Sequence, residues 1–132
     1  MVKKYELTKD SVRLMGHTLY RIKALRDFGD VKKGDLGGYI EKESNLSHGG
    51  TCWVADQGMV LQNASVSEHA RVYERAVVFG NARLSGYCYV FQDSQVLGYT
   101  RVLDHAWVFG RGIFSKSEVL GGCGGFFKGE GE

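Results

Sequence analysis

The sequence predicts an all-β solenoid of triangular coils, and three observations predict it. An aliphatic residue recurs every six positions, a small residue stands two places before it, and Gly or a polar residue stands two places after it. The aliphatic column runs Val54, Val60, Val66, Val72, Val78, Leu84, Val90, Val96, Val102 and Val108, then Phe114 and Leu120. Val, Leu and Ile make up about one fifth of the chain, so ten consecutive hits have a chance probability on the order of 10⁻⁷ before correction for frame.

The small column is Cys52, Gly58, Ala64, Ala70, Ala76, Ala82, Cys88, Ser94, Thr100, Ala106 and Gly112, and it fails at Glu118. Residues two apart in an extended segment point to the same side, so both columns face inward. The residues two places after each aliphatic one, from Asp56, Gln62 and Glu68 to Asp104 and Gly110, are of the kinds a corner needs. Each hexad is therefore a short strand and a corner, and three hexads close an 18-residue coil. Coils stacked at about 4.8 Å pair their backbones with the coils above and below.

The elements follow in order. Residues 1–35 lie outside the period and are expected to form a β cap, because an open solenoid end would expose unpaired backbone and core. Within the cap, Val12–Leu14 and Thr18–Ala24 read as a hairpin around Gly16, with Leu19, Arg21 and Lys23 alternating against Tyr20, Ile22 and Ala24. The solenoid occupies 36–122, since Ile40 and Leu46 with Gly38 and Ser44 continue the columns across a two-residue insertion at His48 to Gly50. Residues 123–132 are a Gly-rich tail, in which Phe126 and Phe127 are expected to dock and the rest to stay loose.

Composition narrows the function classes. The 132 residues carry 17 Lys plus Arg against 15 Asp plus Glu, a net charge of +2, which excludes a strongly basic nucleic-acid binder and a polyanion mimic alike. The cap's Lys3, Lys4, Arg21, Lys23, Arg26, Lys32 and Lys33 are offset by Glu6, Asp10, Asp27, Asp30 and Asp35, so nucleic acid is not the expected partner. No stretch is long and apolar enough to cross a membrane, and the N-terminus lacks the apolar run of a secretory signal, so the expected location is the cytoplasm. The chain has 3 Cys, without C-x-x-C spacing, and predicts neither a disulfide framework nor a metal site. Cys52 and Cys88 lie two coils apart on the inward column, about 9.6 Å, beyond the roughly 7 Å reach of a disulfide.

Outward residues fall on three faces. One carries Trp53, Arg71, Tyr73, Tyr89, Phe91, Trp107 and Phe109; a second carries Met59, Leu61, Val77, Phe79, Gln95 and Leu97; the third carries Ser65, Arg83, Ser85, Arg101 and Leu103. The first set is the expected binding surface, since aromatic residues and Arg are enriched at interface centres and bare apolar patches mark contacts. The cap is expected to cover one apolar face and a second copy the other, as a dimer or trimer. His69 and His105 occupy one edge, two coils apart with Tyr87 between them, and are expected to be solvated corner residues. His17 and His48 show no partner in sequence. The period runs from Cys52 to Gly112 without an insertion, so no loop is expected to build a pocket, and no catalytic residue, metal ligand or cofactor is assigned. Gly34-Asp35-Leu36-Gly37-Gly38 lacks the Lys-Ser/Thr of a phosphate loop and reads as the turn from cap to solenoid.

The hexads resemble the hexapeptide repeat of the left-handed parallel β-helix, the fold of the trimeric acyltransferases, and the expected handedness comes from that resemblance. More narrowly, Tyr20 to Glu41, Asn45-Leu46-Ser47 and Cys52-Trp53-Val54 resemble a family of phage and prophage hexapeptide-repeat proteins of transferase-like type. The resemblance implies a non-catalytic phage or prophage accessory protein in a bacterial host cell, binding a host or phage protein and inhibiting a defence system. The alternatives it implies are an acyltransferase whose active site forms between subunits, and a structural phage component.

Overall fold

A computed structural model describes residues 3–129; the last three residues of the Gly-rich tail lie outside the described residues. The chain is a left-handed parallel β-helix of about five turns with 18-residue spacing, opened by a β-hairpin. Strand β1, Tyr5–Leu14, turns at Met15 and Gly16, both at positive φ (51° and 78°), into β2, His17–Ala24. Strand β2 then pairs antiparallel with β3, Leu36–Ile40, with Arg21 opposite Tyr39 and Tyr20 opposite Ile40.

From β3 onward every strand is parallel to the one a coil away. The capped face continues β1, β2 and β3 through Met59–Val60, Val77–Val78, Gln95–Val96 and Ile113–Phe114. The aromatic face stacks Trp53–Val54, Arg71–Val72, Tyr89–Val90, Trp107–Gly110 and Gly125–Lys128. The arginine face stacks Ser65–Val66, Arg83–Leu84, Arg101–Val102 and Val119–Leu120. Registers such as Val72 on Val90 on Val108 place each inward residue on its equivalent 18 positions away.

Both inward columns are buried from Cys52 through Val108, Gly58 included. The strand Gly125–Lys128 carries the aromatic face beyond residue 122, with Phe126 partly buried against the core. The first rung is built by close approach: a Cβ on Gly37 or Gly38 would run into the carbonyl oxygens of Val54 and Gly58, so β3 tolerates no side chain there. Below it, Lys4 is fully buried, with Nζ donating to the carbonyl oxygen of Cys52 at 2.8 Å and of Gly49 at 3.3 Å, and packing over the Phe28 ring. Burial lowers the Lys4 pKa, while those carbonyls and the Cys52 sulfur, at 3.3 Å, satisfy its protons across the 48–50 insertion.

The corners hold a second ladder. Asp56, Gln62, Glu68, Glu74, Gln92 and Asp104 adopt the left-handed conformation, with φ between 56° and 62°. Each side chain accepts the backbone N–H of the equivalent residue one coil on: Asp56 from Glu74, Gln62 from Gly80, Glu68 from Gly86, Glu74 from Gln92, Gln92 from Gly110 and Asp104 from Gly122. A polar residue at that position therefore satisfies a donor that the corner turns away from the strands.

The inward and outward assignments have separable consequences for stability. Ala76→Phe or Ala82→Phe places a ring in a closed column and is expected to cost about 1–3 kcal/mol, whereas Arg83→Phe, on an exposed site, is expected to be nearly silent. Urea unfolding midpoints check this, and equal tolerance at the three positions would refute the core.

Candidate functional site

The aromatic face is covered only at its lower end. The connection between β2 and β3 folds over the first two rungs: Phe28 packs edge-on against Trp53, with ring centroids 5.2 Å apart, and Asp30 bonds Arg71 Nη1 at 2.8 Å. Trp53 and Arg71 are 3% and 7% exposed as a result. This corrects their expected place in a binding surface, because the cap's own loop occupies them. Above them Tyr73, Tyr89, Trp107, Phe91, Phe109 and Phe127 form a continuous run of ring contacts 5.3–6.0 Å apart, and Trp107 and Phe127 are half or more exposed.

On the capped face, the hairpin contributes Leu19 to a buried outer cluster with Tyr39 and Leu61, against which Val12, Leu14, Met59, Val77 and Phe79 pack. The edge between arginine and aromatic faces stacks His69 on Tyr87 at 4.5 Å and Tyr87 on His105 at 5.2 Å, and His69 Nδ1 is 2.7 Å from Thr51 Oγ1. The two imidazoles are separated by the tyrosine ring and share no ligand position. Cys52 and Cys88 are buried and free; burial raises both thiols, Cys88 to about 12, which makes them inert beside the exposed Cys123. Among the described residues no group of His, Cys, Asp and Glu is arranged to hold a metal.

The remaining two histidines have partners that the sequence did not show. His48 stacks on Tyr5, with Nδ1 accepting from the Lys4 N–H and Nε2 3.0 Å from Glu43, so both ring nitrogens serve the fold. His17 differs. It sits at the start of β2, and its Nδ1 is 2.7 Å from Glu41 Oε2, while the other Glu41 oxygen accepts the Gln62 N–H at 2.7 Å. Burial opposes ionisation of Glu41, but the bonds from His17 and Gln62 outweigh it and hold the carboxyl below its usual range. The buried Asn45 fixes the backbone here, accepting from the N–H groups of Glu41 and Lys42 and donating to the carbonyls of Gln62 and Ala64.

A carboxylate on Nδ1 sets the tautomer in which that nitrogen is the donor and Nε2 carries the lone pair. That Nε2 lies 3.4 Å from the Gln62 amide nitrogen, whose carbonyl oxygen is committed to the Gly80 N–H. The pair opens on a groove of about 330 Å³ lined by His17, Glu41, Gln62, Asn63 and Asn81. The pocket that an uninterrupted period seemed to preclude is thus made by the hairpin turn lying against a corner, not by a loop leaving a coil. No local pattern announces it: His17 and Glu41 are 24 positions apart, and only the register of β2 on β3 joins them.

No family model matches the chain. Over 63 residues, 47% of its length, it is 36% identical to the uncharacterized acetyltransferase YdcK of Escherichia coli strain K12. The matched stretch is 19% of that protein, so the chain spans about a fifth of the length of this relative. The similarity overturns the non-catalytic reading of the sequence, since the relative bears the name of an acetyltransferase. The solenoid and the similarity together fit a hexapeptide-repeat, transferase-like fold. Among the described residues no helix is long and apolar enough to cross a membrane.

The cap carboxylates give the fold a pH signature. The Arg71 hydrogen bond lowers Asp30, and bonds from His48 and Lys3 lower Glu43, as the dyad lowers Glu41. A carboxyl that titrates lower when folded stabilises fully above the ordinary carboxylate range, about pH 4, and that stabilisation disappears as the pH falls through the lowered folded value. Stability measured by urea unfolding is expected to fall below about pH 4, and Glu43→Gln with Asp30→Asn to flatten that slope; an unchanged slope would show the pairs contribute nothing.

Proposed function

We propose that the chain carries out acyl transfer with His17 as general base. The observation that supports this reading is the His17–Glu41 dyad opening on a polar groove, in a fold similar to part of a protein named as an acetyltransferase. In the step, the Nε2 lone pair accepts the proton of an amine or hydroxyl nucleophile as that atom bonds to the acyl carbon of a thioester. The imidazolium, held by the Glu41 carboxylate, then returns the proton to the departing thiolate. Gln62 caps that lone pair: its carbonyl oxygen is held by the Gly80 N–H, its amide N–H faces Nε2 at a long 3.4 Å, and the nucleophile takes its place on binding.

The test is acetyl transfer from acetyl-coenzyme A to a panel of small amines and sugars, followed by mass spectrometry of the products. His17→Gln is expected to lower turnover by about 10²-fold or more, and Glu41→Gln to lower it while leaving the thermal melt of the solenoid in place. Wild-type protein without turnover, or a His17→Gln variant as active as wild type, would overturn the reading.

A second reading concerns the partner of the aromatic ladder, and the exposed upper rungs favour it. A second copy of the chain, in a dimer or trimer, is the occupant we propose, with a host or phage protein in a phage-type accessory role as the competitor. Trp107→Asp combined with Tyr89→Asp is expected to reduce the mass in light scattering to that of one chain, 14.7 kDa. A wild-type protein already of that mass would leave the face to another protein.

A further inference from the structure

The arginine face holds a charge arrangement that the rest of the molecule avoids. Arg83 and Arg101 are direct register partners on adjacent parallel strands, both exposed, and their backbones lie one strand spacing apart, about 4.8 Å. Like charges opposite one another weaken a sheet. Elsewhere each arginine is engaged: Arg13 by Thr18 and Gly16, Arg21 by Asp10 and Tyr39, Arg26 by His48, Arg71 by Asp30, Arg75 by Asp93. Their backbone N–H groups bond the carbonyls of Thr100 and Glu118 in the ladder, but among the described residues neither guanidinium has a hydrogen-bonding or acidic partner, and the register neighbours Ser65 and Val119 bring no negative charge.

The two arginines are not on a flat surface. With Asn81 and Tyr99 they line a groove of about 370 Å³, in which Tyr99 is 68% exposed and its backbone N–H is fixed by Ser117 Oγ at 3.1 Å. Asn81 also lines the His17–Glu41 groove, so the two recesses meet along one corner of the solenoid.

We propose that Arg83 and Arg101 form a binding site for a phosphate-bearing small molecule, with Asn81 as a further hydrogen-bonding group and Tyr99 as a surface for an adjoining ring. Two planar guanidinium forks at strand spacing suit the several acceptor oxygens of a phosphomonoester or diphosphate, and a bound dianion removes the like-charge repulsion between them. A carboxylate would satisfy one fork and leave the other. Tyr99 suits either a nucleobase, by stacking, or a sugar ring. The site stands on its own residues and does not depend on acyl transfer at His17.

The experiment is isothermal titration calorimetry of the full chain with pyrophosphate, ADP and glucose 1-phosphate at low and high salt. Pyrophosphate is expected to bind, more weakly as salt rises. ADP binding tighter than pyrophosphate, with the advantage lost in Tyr99→Ala, identifies a nucleotide ligand; tighter glucose 1-phosphate identifies a sugar phosphate; equal affinity places all recognition in the phosphate. Arg83→Gln is expected to weaken binding about tenfold. Arg101→Glu abolishes binding while creating an opposite-charge pair with Arg83, so its melting temperature should be unchanged or raised and a folding defect cannot explain the loss. His17→Gln should bind as wild type does, which separates this site from the acyl-transfer reading. Absence of binding by all three ligands, or an Arg101→Glu variant that binds equally well, would overturn the proposal.

Discussion

The corner hydrogen bond is the interaction on which the molecule depends. A hexad can close a triangle only if the chain reverses direction within a few residues, and the left-handed conformation at one corner position provides that reversal. The reversal turns a backbone N–H away from the strand ladder, where it would be left without a partner. Gln62, Glu68 and Gln92 solve both problems with one side chain each, holding the corner and accepting the N–H of the coil above at 2.7–2.8 Å. Glycine meets the conformational demand at Gly80, Gly86 and Gly110 but has nothing to offer the next coil. One edge alternates the two kinds, Glu68, Gly86, Asp104 and Gly122, while another runs Asp56, Glu74 and Gln92 in succession before Gly110, each side chain holding the next coil.

The solenoid was legible in the sequence because its constraints are local and repeated. A valine and an alanine two apart face the core wherever they occur, so each hexad restates the evidence for the others, and the buried columns match the written ones. The outer faces were legible by the same arithmetic, down to the His69–Tyr87–His105 stack. The cap was legible only as a hairpin. Its register on β3 is set by three pairings, Tyr20 with Ile40, Arg21 with Tyr39 and, across a register shift, Lys23 with Leu36, and by Arg21 bonding the Tyr39 hydroxyl and the Gly37 carbonyl. Nothing periodic encodes that register. The partners of His17 and His48, and the groove beside His17, belong to the contact of cap and coil, of which the period carries no sign.

The cap also explains why three faces with the same backbone have different surfaces. Its loop through Phe28 and Asp30 covers the lowest rungs of the aromatic face, and its hairpin shields the lower capped face with Leu19. The arginine face receives no cover from it, and there the outward strand residues Ser65, Arg83 and Arg101 tolerate water, with Val119 left exposed on the last coil. Residues left apolar above the reach of the cap, Trp107 and Phe127 among them, are the ones whose exposure calls for a second surface.

Glu41 connects the scaffold to the chemistry. It takes the acceptor role of a corner residue on the first coil, receiving the Gln62 N–H, just as Gln62 receives that of Gly80. Further up the edge each such side chain is spent on the fold. At the first coil, however, the carboxylate has a second oxygen, and the hairpin turn brings His17 to it. An amide at position 41 would hold the corner equally well but could not stabilise an imidazolium, so the presence of Glu there has a chemical consequence that the fold alone does not require. The site is therefore the lower end of the corner ladder, where a structural acceptor with one oxygen to spare meets the hairpin turn that carries His17 to this edge.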